Sequence, residues 1–152
     1  MKEVSKFPLP GKDYSGYVSL TLTGKRLDPE HITRVLRIVP HRSFRKGDPR
    51  NIIEGKKSSP EVWPHGLWSI DSYPDIRSDE LTLHFEWLLN QLEPVQEGME
   101  QILSDKTIDA RISCFWLERS DHINIEVESS LIARLANLNM KIWFDVYCSQ
   151  NE

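Results

Sequence analysis

Residues 17–40 read Tyr-Val-Ser-Leu-Thr-Leu-Thr-Gly-Lys-Arg-Leu-Asp-Pro-Glu-His-Ile-Thr-Arg-Val-Leu-Arg-Ile-Val-Pro, and the hydrophobic period changes once inside them. Over residues 17–23, Val18, Leu20 and Leu22 alternate with polar side chains, the period of two of a half-buried strand. Gly24 ends that run. Asp28 then suits a helix N-cap and Pro29 the first helical position, where its missing N–H is not needed. Leu27 and Ile32 occupy the two places of a hydrophobic staple. Ile32, Val35, Leu36 and Val39 follow the spacing of one buried helical face, and Pro40 stops the helix. A strand feeding an amphipathic helix calls for a sheet covered by helices.

Working outward, residues 67–72 resume a strand, with Trp68 and Ile70 on one side and Ser69 and Asp71 on the other. Leu81, Phe85, Leu88, Leu92, Val95, Met99 and Ile102 form the longest periodic stretch, within residues 79–103. Pro94 cuts it and Gly98 weakens it, which predicts a helix to about residue 91, a kink and a second shorter helix on the same core. Strands are expected over residues 108–117, 123–127 and 141–147, with a short helix capped by Ser129 or Ser130 before the last. Leu131, Ile132, Leu135 and Leu138 would be its buried stripe, and Asn137 or Asn139 its left-handed end. The class is α+β: a sheet of about five strands with helices packed on one face. A strand–helix–strand unit recurs, over residues 18–70 and 123–146, which leaves an internal duplication open. Residues 1–16 read as an extended arm, 17–148 as a single domain and 149–152 as a tail.

The 152 residues suffice for one self-supporting core. The formal charge of −4 speaks against a dedicated nucleic-acid binder, and no run of about 18 apolar residues offers a membrane span. The first residues, with Pro8 and Pro10 and no apolar core, do not read as a signal peptide. Cys114 and Cys148 lie far apart in apolar segments and read as two buried free thiols of a cytoplasmic protein.

The order and spacing of several landmarks resemble a bacterial family catalogued as domain of unknown function 4279. They begin with Gly24, Leu27-Asp28-Pro29, Ile32-Thr33 and Arg45-Lys46-Gly47-Asp48. They continue with Gly66-Leu67-Trp68-Ser69-Ile70, His84-Phe85-Glu86-Trp87-Leu88-Leu89, Leu135-Ala136-Asn137-Leu138 and Phe144-Asp145-Val146-Tyr147. The resemblance covers about residues 17–148 and implies a compact single-domain bacterial protein, with no activity and no catalytic residue attached. It also implies glycine where this chain has Arg37, so the helix is expected to run past that point.

Catalytic signatures for nucleophilic, nucleotide-binding and zinc chemistry are missing, and the five histidines have no ligand-like spacing. No cofactor or metal is called for. His84 reads as a helix-flank partner of Glu80, and His65 as a loop residue at a pocket mouth. Asp71 and Asp145 share a parity opposite the apolar one, so as neighbours they could form an acid/base pair, or be held by a donor such as Arg111. Residues 41–57, rich in glycine and proline, carry a net charge of +4 and leave −8 on the rest of the chain. Their Arg42, Arg45 and Lys46 suit a small anion or an acidic surface. On the non-core sheet face, Tyr17, Tyr73, Phe115, Trp143 and Tyr147 project beside Arg111, Asp71 and Asp145, more aromatic surface than solubility requires. The leading reading is a non-catalytic protein-interaction module, with another protein or a second copy as partner. An immunity-type role against a toxin is one analogy for it. The alternative is a small-ligand or anion-binding protein, and the third an enzyme of unrecognised type.

Overall fold

The computed structural model describes residues 15–50, 61–118 and 124–148. Strand β1 (Gly16–Gly24) is followed by α1 (Pro29–Leu36), β2 (Arg42–Phe44) and β3 (Gly66–Asp71). Helix α2 (Leu81–Leu92) runs through one tight turn (Glu93–Val95) into α3 (Gln96–Leu103). Strand β4 (Asp109–Glu118), helix α4 (Ser129–Asn137) and strand β5 (Lys141–Cys148) complete the α+β fold. The five strands stand in the order β2-β3-β1-β4-β5. All neighbours are antiparallel except β4 and β5, which run parallel.

The alternation in β1 sends Val18, Leu20 and Leu22, all fully buried, into one hydrophobic cluster. Trp68 and Ile70 of β3 and Ile112 and Cys114 of β4 join them from the same face of the sheet. The helices cover that face with Ile32, Leu36, Phe85, Leu88, Met99 and Leu131. Trp68 also ties sheet to helix, its indole Nε1–H donating to Thr33 Oγ1 of α1 at 3.0 Å. Pro94 lies in the first turn after the break, where no N–H is required of it. Gly98 is more than a weak helix former: a Cβ there would lie 3.1 Å from Val35 Cγ1 and 3.3 Å from the Val35 carbonyl. The bare Cα lets α3 lie close against Val35 and Leu36 of α1.

Three expectations are corrected. The sequence 123–127 is not a strand: residues 124–128 have no regular structure, and Ile123 lies outside the described residues. Ile125 and Val127 pack against the core from an irregular segment, which buries every second side chain without being a strand. The fifth strand is instead β2, whose three residues are too few to show a period. The two strand–helix–strand units also differ, since β1 and β3 pair antiparallel while β4 and β5 pair parallel across α4. That is not the geometry of a duplicated unit.

The third correction concerns α1. Asp28 is its cap, accepting from the Glu30 and His31 amides at 3.1 and 3.3 Å. The helix ends at Leu36, because Arg37 adopts the left-handed conformation at φ 54° and its N–H returns to the Thr33 carbonyl at 2.7 Å. Val39, expected on the buried stripe, is 79% exposed. In α4, similarly, Ile132 points to solvent and helical geometry begins at Ser129 rather than after it, while Asn139 takes the left-handed position at φ 54°. A left-handed arginine carries a steric cost that glycine does not. Arg37→Gly is therefore expected to stabilise the protein by about 0.5–1 kcal/mol, read as a raised midpoint in urea unfolding.

Candidate interaction surface

The sheet face away from the helices is built from the alternate residues of each strand, and it divides into two halves. On the β3–β1 side, Tyr17, Ser19, Ser69 and Asp71 are buried. Burial, followed by the nearby Asp71 carboxylate, pushes the Tyr17 hydroxyl up to about 12. Arg42 of β2 faces the same group: burial lowers its pKa, against the pull of Asp71 and Tyr17. The backbone N–H of Asp71 donates to His41 Nδ1 at 2.8 Å, while Asp71 Oδ1 has no hydrogen-bond partner among the described residues.

A row of rings crosses from this buried half to the open one. Tyr73 meets Tyr17 edge-on at 6.2 Å between centroids, Tyr17 stacks on Phe115 at 5.5 Å, and Phe115 stacks on Tyr147 at 5.0 Å. Such ring pairs hold the strands beyond their area burial. Along the row Tyr17 is 4% exposed, and the far end, Tyr147, is 50% exposed. Beside it Trp143 is 54% exposed, with the Arg111 guanidinium 5.2 Å over its ring. Asp109 anchors this corner, accepting from Arg111 at 3.5 Å and from Lys141 at 2.5 Å. Asp145 lies in register with Phe115 on the same face.

Of the surface expected of Tyr17, Phe115, Trp143 and Tyr147, the three rings Tyr17, Phe115 and Tyr147 stack in sequence with Tyr17 interior, while Trp143 stands on the same face under Arg111. Asp71 and Asp145 are not neighbours: β1 and β4 stand between their strands, so three inter-strand steps separate them by roughly 14 Å. They form no acid/base pair, and Arg111 is engaged with Asp109 and Trp143.

The basic segment is dispersed. Arg42 lies on the sheet face, whereas Arg45 pairs with Asp28 and Glu30 at the start of α1, at 2.8 and 3.3 Å. Lys46 is exposed in the turn at Gly47, whose φ of 89° suits glycine. Arg50 covers the Trp63 ring at 4.4 Å, and Lys56 and Lys57 lie outside the described residues. Residues 47–50 pair with 61–63 through Gly47 N–H to Trp63 O, Trp63 N–H to Asp48 O and Arg50 N–H to Glu61 O. This ribbon prolongs the β2–β3 hairpin, and the Phe44–Trp63 stack at 3.9 Å fastens it. His65 tilts against Phe44 at 6.1 Å, half-buried. The signal in the sequence is the pair Phe44 and Trp63, two aromatics on either side of a stretch rich in glycine and proline.

His84 does not pair with Glu80. It is buried in α2, with Nε2–H donating to the Ser78 carbonyl at 2.7 Å, which leaves Nδ1 to accept from the Ser72 hydroxyl at 2.7 Å. Ser72 Oγ in turn accepts the Val18 N–H at 2.9 Å. Every group of this relay is spoken for, and Ser72 is fully buried, so it is a structural link between α2 and the sheet.

Both cysteines are free. Cys114 is buried and burial pushes its thiol up to about 12, but Cys148, expected inside, is exposed near the end of β5. A thiol reagent under native conditions is expected to modify one cysteine promptly and the second only on unfolding. Two fast-reacting thiols would contradict the packing around Cys114.

Among the described residues, no group of three or more His, Cys, Asp or Glu side chains gathers to hold a metal, and no helix is long and apolar enough to cross a membrane. A family model described as a domain of unknown function (DUF4279) matches residues 13–149. No curated protein and no solved structure matches the chain.

Proposed function

Given that the chain belongs to the DUF4279 family, we propose that it acts as a protein-interaction module without catalytic chemistry of its own. The partner surface is the β4–β5 end of the open sheet face: Phe115, Trp143 and Tyr147, with Arg111 over the tryptophan. One observation carries the reading. Trp143 and Tyr147 are half-exposed on a strand that, among the described residues, has no neighbour on its outer side. Large aromatics and arginine in such a place are the usual anchors of an interface. Asp71, Arg42 and Tyr17 serve instead to fix the buried half of the same face. The bacterial cytoplasm is the setting this reading assumes, a reducing compartment that suits two unpaired thiols.

The test is a photo-crosslinking side chain placed at Tyr147, with one at the exposed Val39 as control, in cells that naturally make the protein. A discrete adduct from position 147 and none from 39 is expected. No adduct from either position, or equal adducts from both, would overturn the reading. Trp143→Ala is expected to weaken the adduct while changing stability by less than about 1 kcal/mol, since the ring is half in water.

A further inference from the structure

Resting on the interaction reading above, we propose that the partner is a second copy of this chain, joined through β5 edge to edge, antiparallel, about a two-fold axis. Among the described residues no strand lies on the outer side of β5, Lys141–Cys148, and such an edge pairs readily with another strand. The argument for edge rather than face comes from side chains on both surfaces of the strand. Trp143 and Tyr147 are exposed on the open face, and Phe144, 46% exposed, on the helix side. A partner lying flat on the open face leaves Phe144 in water. A strand added beside β5 covers residues of both faces at once.

Charge fixes the register. A two-fold axis perpendicular to the sheet keeps each side chain on its own face, so a residue can face only one of equal parity. Centring the axis on Trp143 sets Lys141 opposite Asp145 of the second copy, twice by symmetry, and Ile142 opposite Phe144 on the helix side. Lys141 then lies between Asp109 of its own chain and the incoming Asp145, in a row that alternates sign from Arg111 outward. Centring on Asp145 would place like charges face to face, which is unfavourable. Centring on Phe144 sets Asp145 against Trp143 and leaves Lys141 against Tyr147. The exposed ion pairs select the register, while the backbone ladder and the Trp143, Ile142 and Phe144 contacts supply the attraction.

The native cysteines allow a direct measurement, because Cys148 is exposed and Cys114 is buried. A nitroxide on Cys148 of the otherwise unaltered protein would report the distance between the two copies by pulsed electron resonance. The Trp143-centred register puts the two Cys148 positions about ten residue rises apart, or about 34 Å, against about 27 Å for centring on Phe144 and about 20 Å for Asp145. Sedimentation of the unlabelled protein is expected to show a concentration-dependent dimer. Lys141→Asp and Asp145→Lys should each weaken it at least several-fold, and the double variant should restore it. The inference is overturned by a monomer at all concentrations, by a dimer with another distance, or by failure of the double variant to recover association while its melting point matches that of the single variants. A monomer that still crosslinks to a different protein from position 147 would remove the self-pairing and keep the interaction reading. A monomer with no adduct would remove both.

Discussion

Replacing His84 by leucine will destabilise the fold by about 2–4 kcal/mol, although leucine is similar in volume and the residue is buried. The loss lies in what the imidazole leaves behind: the Ser72 O–H loses its acceptor, keeping only the Val18 N–H that it accepts, and the Ser78 carbonyl loses its donor. An unsatisfied buried polar group costs about 1–3 kcal/mol. The wild type also carries a pH signature that the variant lacks. Burial lowers the His84 pKa below its ordinary 6.5, against smaller opposing pulls from Ser78 and Asp79. The unfolded chain therefore takes up a proton near pH 6.5 that the folded chain refuses. This contribution is whole above that pH and is lost progressively as the pH falls below it, toward the folded pKa. Denaturant unfolding of both proteins at pH 7.5 and 5.5 is the measurement. A wild type no more acid-sensitive than His84→Leu would show that the imidazole is not held neutral.

Trp68→Ala is expected to be costlier still, about 3–5 kcal/mol, for a fully buried indole at the meeting of β3 and α1. In a chain of this length that is a fall in melting temperature of roughly ten degrees or more. Trp68→Phe separates the two contributions, keeping most of the packing and removing the N–H that Thr33 Oγ1 accepts. Its cost should be nearer 1–2 kcal/mol and should largely vanish in a Thr33→Val background. Equal losses for alanine and phenylalanine would mean that the hydrogen bond rather than the volume holds α1 to the sheet.

The elements with long, regular periods were legible in the sequence. Val18, Leu20 and Leu22 gave β1; Asp28 and Pro29 gave the start of α1; Pro94 gave the break between α2 and α3. What failed were features set by a single residue or by distant neighbours. The end of α1 depends on Arg37 entering a conformation that its side chain disfavours, and no pattern announces that. Alternation at Ile125 and Val127 says only that these side chains meet the core, which an irregular segment satisfies as well as a strand. The candidate surface was legible as a parity class, since Phe115, Trp143 and Tyr147 do share a face. That Tyr17 is interior and Asp71 remote from Asp145 follows from strand order, which local sequence does not encode. Residues 41–57 do carry a net charge of +4, but Arg42 lies on the sheet face while Arg45 turns to Asp28 and Glu30, so the charge forms no single patch.

The central position of β1 has a consequence for how the chain is made. Among the described strands it leaves the ribosome first, yet it completes its pairing only with β4, where Leu20 faces Ile112. Until then its β4-facing edge, along Val18, Leu20 and Leu22, has no neighbour, and the helices cover an incomplete sheet. Contacts so distant along the chain slow folding and leave a growing chain open to wrong partners. Truncated chains ending before Asp109 should therefore accumulate as insoluble material or occupy chaperones, whereas release of the full sequence lets the sheet close in one late step.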